Sequence, residues 1–454
     1  MGGLLSSLNL GASALLAQQA GVAVSGNNTA NVNTVGYQKE SVTLSSEPAA
    51  PLVGGVIAGA ATRASDDLLS TQERAQSGAS GQATSLSASL DSLQTSLTND
   101  DVAGSIGTFF GAVNSLEASP SDSALRSQVI SDAQSVATQF NSAATAISQS
   151  QSDADSQIAT MSTQATQLAA QIATLNQSIA TSNDPTLADQ RDQAAKQLAG
   201  IIGGQGIIGT NGQMNFVLGN GQVVVDGTHA SSVQAVPDAT NGNHLAVQIV
   251  DGTHKADVTN SLDGGSIAGL VQFRDGTAAA AATQLDQLAN DFATQLNAVH
   301  ASNVGLDGST GNNLFTIPTT VAGSAAAITV NSAIVANPDK LATRAAGAGA
   351  DDSTGASALL ALRDQPLANG GTSTFTDQAL NITATVGSAA ASAANDVTLE
   401  STRTQVLASA RDSESGVDIN EETATLAQFQ HAAEAASQYV STVNDLLETL
   451  MTNL

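Results

Sequence analysis

The stretch that most constrains this chain is its C-terminal helix. Leu426, Phe429, Ala433, Ala436, Val440, Val443, Leu447 and Leu450 recur at 3-4-3-4-3-4-3 spacing, with no proline or glycine among them. That pattern is the a/d seam of a coiled coil. A helix with one such stripe needs a partner, since each large aliphatic side chain left in water forgoes about 1.5–3 kcal/mol. The N-terminus offers one: Leu8, Leu15 and Val22 repeat every seven residues, and Leu4, Leu5 and Leu16 broaden the stripe. Both chain ends are expected to be amphipathic helices with matching apolar faces. An ordinary intramolecular bundle would show the same pattern.

The body between them is long enough for several domains, with 454 residues at roughly 100–200 per domain. Tryptophan is absent and aromatics make up only 2%. Large aromatic anchors usually fill a compact core. Alanine, serine, threonine and glutamine dominate instead, which suits long, thinly packed helices and an elongated body. The formal net charge of −27, from 40 acidic against 13 basic residues, disfavours nucleic acid and anionic membranes as partners. Its simplest role is solubility. With no cysteine, disulfides, thiolate catalysis and cysteine metal sites are excluded. No run of 18 or more apolar residues marks a transmembrane helix. The apolar N-terminus lacks a basic flank and a cleavage site, so the chain is expected to stay inside or to leave without a cleaved signal.

Eight prolines punctuate the chain. Pro48 and Pro51 end the first segment. Ser119-Pro120 reads as N-cap and first position of a long helix, on which Ile158, Met161, Ala165, Leu168, Ile172, Leu175 and Ile179 form a stripe. Asn183-Asp184-Pro185 breaks it, and Leu187–Leu198 reads as a second, antiparallel helix closed by Gly200. From Gly203 to Gly265 the texture changes to short apolar runs flanked by Asn211-Gly212 and Asn220-Gly221, which is hairpin chemistry. A helix returns from Thr277 to His300, with Leu285, Leu288, Phe292, Leu296 and Val299 on one side. Asn303–Ala394 is rich in glycine, serine and alanine and reads as mixed.

Chemistry is sparse. The five histidines, His229, His244, His254, His300 and His431, show no metal-ligand spacing. Gly204–Gly209 matches G-x-G-x-x-G, but it follows a helix and precedes hairpins, so it reads as a loop. The Asp-Gly pairs at Asp226, Asp251, Asp263, Asp275 and Asp307 read as turns rather than calcium ligands. Asp66-Asp67 and Glu421-Glu422 suit helix starts. No nucleophile, base and orienter assemble, so no catalytic, cofactor or metal residue is named and no enzyme is expected.

Several segments resemble the flagellar hook-associated protein 1 family. Ser25–Tyr37, SGNNTANVNTVGY, is similar to the Asn-rich motif that flagellar axial proteins share after their first helix, here with Asn28, Asn31, Gly36 and Tyr37. Ser415–Met451 resembles the matching C-terminal helix. Leu187–Gly200, with Arg191 and Asp192, and Gly264–Gly276, with Phe273, Arg274 and Asp275, are similar to internal segments of that family, as is Leu285–Phe315. Gln38-Lys39 stands where family members usually carry Arg, and Val35 where Pro is often found.

The resemblance implies a structural subunit of the hook–filament junction, exported unfolded through the flagellar type III apparatus. Implied partners are hook protein, the next junction protein, a homo-oligomeric ring and an export chaperone, with no cofactor, nucleic acid or membrane. Function would then reside in the interface between Leu8, Leu15 and Val22 and the C-terminal seam. The expected fold is mainly α with an inserted β-rich domain: paired N- and C-terminal helices in a coiled-coil-like core, a long helical bundle and an outer β domain. Residues 1–35 with 415–454 would form the core, 36–200 with 266–302 and 395–414 the bundle, 201–265 the β domain and 303–394 a variable region. Rival readings are another axial protein, such as hook protein or flagellin, and a surface adhesin built on the β-rich middle.

Overall fold

The computed structural model describes residues 2–34, 36–46, 54–182 and 184–452; Val35, Pro48, Pro51 and Asn183 lie outside them. Helix α1 (Gly2–Asn31) leads into a narrow ribbon of β1 (Glu40–Ser41), β2 (Leu44–Ser46), β3 (Val56–Ala58) and β4 (Thr62–Arg63). In it β1 pairs with β4 and β2 with β3, all antiparallel. An isolated two-stranded ribbon is marginal in water. This one leans on α1, where the Ser13 hydroxyl accepts the Val56 N–H at 3.3 Å.

Four helices then build the shaft: α2 (Asp67–Asn99), α3 (Val102–Ala118), α4 (Ser123–Thr181) and α5 (Thr186–Ile202). Asp66 caps α2, accepting the Leu68 and Leu69 N–H groups, as an acidic residue should at a positive helix end. With 59 residues, α4 is about 90 Å long. Its cap is Asp122, which accepts from Ala124 N and Leu125 N, and Ser119 instead ends α3. Ser119-Pro120 was therefore the wrong cap, because the competing carboxylate lies two residues beyond the proline. Gly203, at φ +71°, closes α5 rather than Gly200. Gly200 is inside the helix, and the Ser77 Oγ would lie 3.0 Å from a Cβ added there. Its missing side chain serves the approach of α2.

The β-rich region holds two antiparallel sheets. The first contains β5 (Gln205–Ile208), β6 (Met214–Val217), β7 (Val223–Asp226) and β8 (His229–Ala230) in sequential order. The second runs β11 (His254–Asp257), β10 (Leu245–Asp251), β9 (Ser232–Pro237). Gly212 and Gly221 have φ of +76° and +85°, the left-handed geometry that Asn-Gly hairpins require. The Gly204–Gly209 segment is mostly strand, not loop. Val-Asp-Gly-Thr-His occurs twice, at 225–229 and 250–254, with both glycines at φ +56°.

Next, α6 (Gly265–Val271) passes through one wide π-turn, Gln272–Ala278, into α7 (Ala279–Ser302). Asp275-Gly276 therefore lies inside a helix and makes no turn, and the helix starts well before Thr277. The stretch to Thr374 carries only short elements, β12 (Phe315–Thr316), α8 (Ser324–Ala327), β13 (Thr329–Val330), α9 (Ser332–Ala336) and α10 (Thr354–Ala361). Then α11 (Phe375–Ser415) begins inside the segment read as mixed, and α12 (Ile419–Thr452) ends the described chain. Thr374 caps α11: its hydroxyl accepts the Asp377 N–H and donates to the Asp377 carboxylate.

A continuous apolar cluster fills the shaft and the inner faces of both sheets. Six of the nine phenylalanines meet at one node, where Phe292 lies 5.3–6.4 Å, ring centre to ring centre, from Phe110, Phe140, Phe315, Phe375 and Phe109. The scarce aromatics are concentrated rather than dispensed with.

Candidate assembly interface and its polar joint

α1 and α12 pack antiparallel. Gly11 faces Val440 and Tyr439, Gly21 faces Phe429, and Ser25 meets Glu422. On α12 the inward stripe is the predicted seam: Val443 is buried and Leu426, Phe429, Ala433, Ala436, Val440 and Leu447 are half-buried. Leu450, at the outer end, is exposed.

On α1, Leu8, Leu15 and Val22 are half-buried, as most of the α12 stripe is, while Leu5 and Leu16, read as broadening the stripe, point to solvent at 54% and 67% exposure. The buried positions are Gly11, Ala17, Gly21, Ser25 and Asn28. A Cβ on Gly11 would stand 2.6 Å from Val440 Cγ2, and one on Gly21 2.5 Å from the Phe429 ring. The large knobs thus come from α12 and the notches from α1. A glycine inside a helix costs about 1 kcal/mol against alanine, so Gly11, Gly21 and Gly26 within one helical pattern were the available signal.

The Asn-rich motif ties α1 to the ribbon. Asn28, 1% exposed, donates to the Glu40 carbonyl at 2.9 Å, and its oxygen accepts Glu40 N–H and the Tyr37 hydroxyl at 2.9 and 2.8 Å. Asn31 closes the helix end, its carbonyl and its side chain both accepting from Thr34. Gly36 takes φ +86°, which the turn demands. Burial, then the nearby Glu40, raises the Tyr37 phenol above its ordinary value, so it stays a donor.

Arg191 and Asp192 do not pair with each other. Arg191 reaches Asn176 at 3.1 Å and the Gly212 carbonyl at 2.8 Å, tying α5 to α4 and the β region. Asp192 takes Arg63 at 2.6 Å, and Arg63 also holds Asp189 at 2.9 Å. Asp189 accepts the Gln38 N–H as well. Burial raises the Asp189 carboxyl above its usual range, although the Arg63 hydrogen bond opposes it. Lys39 bridges Glu421 and Glu422 at 3.0 and 3.2 Å. Arg63, Asp189 and Lys39 were missed as site residues, since pairing across more than a hundred positions leaves no local pattern.

Phe273, Arg274 and Asp275 sit on the π-turn. The Arg274 guanidinium is fully buried and binds Asp275 at 2.8 and 2.7 Å, Asp155 of α4 at 2.5 Å and the Leu245 carbonyl of β10 at 2.8 Å. Phe273 joins the apolar cluster. This triplet pins the β region to the shaft, and it lies apart from the terminal pair. Among histidines, His300 is buried, its Nδ1–H donating to the Asn312 carbonyl and Nε2 accepting the Ala342 N–H. His431 is exposed, 3.5 Å from Glu434. Charged groups here hold elements together. Among the described residues no three acidic or histidine side chains are placed to hold a metal, and no helix is long and apolar enough to cross a membrane.

The family model described as flagellar hook-associated protein FlgK helical domain matches residues 87–315, and that for flagella basal body rod proteins matches residues 8–38. Flagellar hook-associated protein 1 of Salmonella typhimurium is 29% identical over 331 residues, 69% of this chain and 59% of the relative. The chain thus spans about three fifths of that relative's length. The Bacillus subtilis protein of the same name is 24% identical over 492 residues, covering 97% of this chain and 96% of the relative. The solved flagellar hook junction protein FlgK from Burkholderia pseudomallei superimposes with a TM-score of 0.70 at 17% identity, over 76% of this chain and 100% of that one. That likeness shows a shared fold.

Proposed function

The chain belongs to the flagellar hook-associated protein FlgK family, and on that premise we propose that it is a structural subunit of the hook–filament junction. One observation carries the reading: the terminal pair buries one seam and leaves Leu5 and Leu16 of α1, with Leu446, Leu450 and Met451 of α12, exposed to solvent. Isolated exposed leucines need no explanation, but four leucines and a methionine on one helix pair offer a surface for neighbours. In this reading residues 1–35 with 415–454 assemble, and the shaft and the β region surround them. The neighbours are further copies in a ring, hook protein on one side and the next junction protein on the other. An export chaperone would cover the ends beforehand, and the exported chain would reside in the flagellum. Its work is packing rather than catalysis.

The test is deletion of the gene in its native bacterium, with imaging of cells and assay of the medium for flagellin. Complete hooks without filaments, and flagellin leaking out, are expected. Missing hooks would move the chain to the rod or hook, and normal filaments would favour a surface adhesin.

A further inference from the structure

The terminal helices share no apolar core with the shaft. Among the described residues the continuous apolar cluster runs from Leu90 to Ala393 and includes nothing from α1, the ribbon or α12. α1, the ribbon and α12 instead cohere with one another: Asn28 grips both backbone groups of Glu40, Ser25 meets Glu422, and Lys39 bridges Glu421 and Glu422. They therefore form one body, joined to the shaft where the chain crosses over and by a few polar contacts.

The strongest of those contacts converge on one side chain. Arg63 ends β4, opposite Glu40 in the ladder, and reaches two carboxylates one helical turn apart on α5, Asp189 at 2.9 Å and Asp192 at 2.6 Å. The three side chains are 8–15% exposed, so water screens them weakly. Space flanks the joint. A groove of ≈ 600 Å³ separates the Asn31–Tyr37 turn from the elbow near Gly416, and another of ≈ 380 Å³ separates that turn from α5. Apolar interlocking would resist a change of tilt, because packed cores are bistable rather than continuously deformable. Two ion pairs beside open grooves do not.

We propose that Arg63, clasped by Asp189 and Asp192, is the positioning residue that sets the tilt of the terminal body on the shaft. When the clasp opens, that body turns as a unit about its two crossings to the shaft, residues 64–66 before α2 and 416–418 after α11. The inference concerns the isolated chain, so it stands or falls independently of where the chain assembles.

Electron–electron distance spectroscopy on the full-length chain tests it, and the native chain has no cysteine to compete with the labels. One spin-label pair joins exposed Gln167→Cys on α4 to exposed Ser441→Cys on α12; a second, Ser135→Cys with Thr385→Cys, lies within the shaft. Arg63→Met should broaden the first distribution about twofold or more and leave the second unchanged. Arg63→Lys, which keeps the charge, should restore most of the narrow distribution. Arg63→Met combined with Asp189→Asn and Asp192→Asn removes the clasp without leaving buried charge, and it should broaden as the single variant does. A narrow distribution in that triple variant overturns the proposal. So does equal broadening of the shaft pair, or a Lys variant as broad as Met.

Discussion

The shaft and the terminal pair are both helical, yet they are held by different means. The shaft closes on a node of phenylalanines around Phe292, with Arg126 buried among the Pro120 and Leu341 carbonyls and Thr343. The pair closes on two glycine notches and a row of small side chains, with polar residues at its inner end. The shaft holds one continuous buried cluster. The pair buries Ala17 and Val443 and leaves Leu5, Leu16, Leu446, Leu450 and Met451 exposed. Residue size separates the two regions: large residues fill the shaft core, and small ones let the terminal helices approach while leucines stay exposed.

The contrast breaks hardest at Phe292. Phe292→Ala should cost about 3–5 kcal/mol in the chemical unfolding of the shaft. If the denaturation midpoint barely moves, the shaft does not depend on its aromatic node. Val443→Asp comes next: a carboxylate in the most buried seam position should cost the pair about 1–3 kcal/mol or more. Hydrogen exchange should then quicken across α1 and α12 while the shaft stays protected, and uniform quickening would mean the two regions are one cooperative unit. The related Leu447→Asp should prevent incorporation into the flagellum while the β region stays folded, read by immunolabelling and by circular dichroism.

Gly21→Leu overfills the notch under Phe429 and should destabilise the pair by about 1–3 kcal/mol, whereas the same change at exposed Gly3, which meets nothing within 4 Å, should be nearly silent. Equal effects at both sites would remove the notch from the account. The smallest effect belongs to pH. Burial lowers the His300 pKa, against the opposing hydrogen bond to Asn312. Below about pH 6.5 the unfolded chain takes up a proton that the folded shaft resists. Stability from this group is therefore complete above that pH and falls as pH drops below it. In His300→Gln the pH 8 to pH 5 loss should shrink, and an unchanged loss would assign it to other groups.

What could be read in advance was whatever is encoded within one turn or one helix. Asn211-Gly212 and Asn220-Gly221 announced hairpins because a positive φ is a local demand. The α12 seam was visible because large residues repeat. α11 was missed at its start because its inward face, Ala379, Ile382, Val386, Ala390 and Ala393, is weakly apolar and diluted by threonine and glycine. The N-cap pattern Thr374-x-x-Asp377 was the clue. The glycine-rich segment 204–209 looked like a loop because a strand of two isoleucines and a glycine has no alternation to show.

By itself, then, the sequence determined the terminal helices, the bodies of α4, α5 and α7, the hairpins and the need for the C-terminal stripe to find a partner. Tertiary structure decided which face of α1 meets that stripe, where the Arg191-Asp192 pair divides, and that Arg63 bridges the terminal body to α5. The reason is range: periodicity and turn chemistry act over a few residues, whereas a notch or an ion pair exists only when distant segments arrive together.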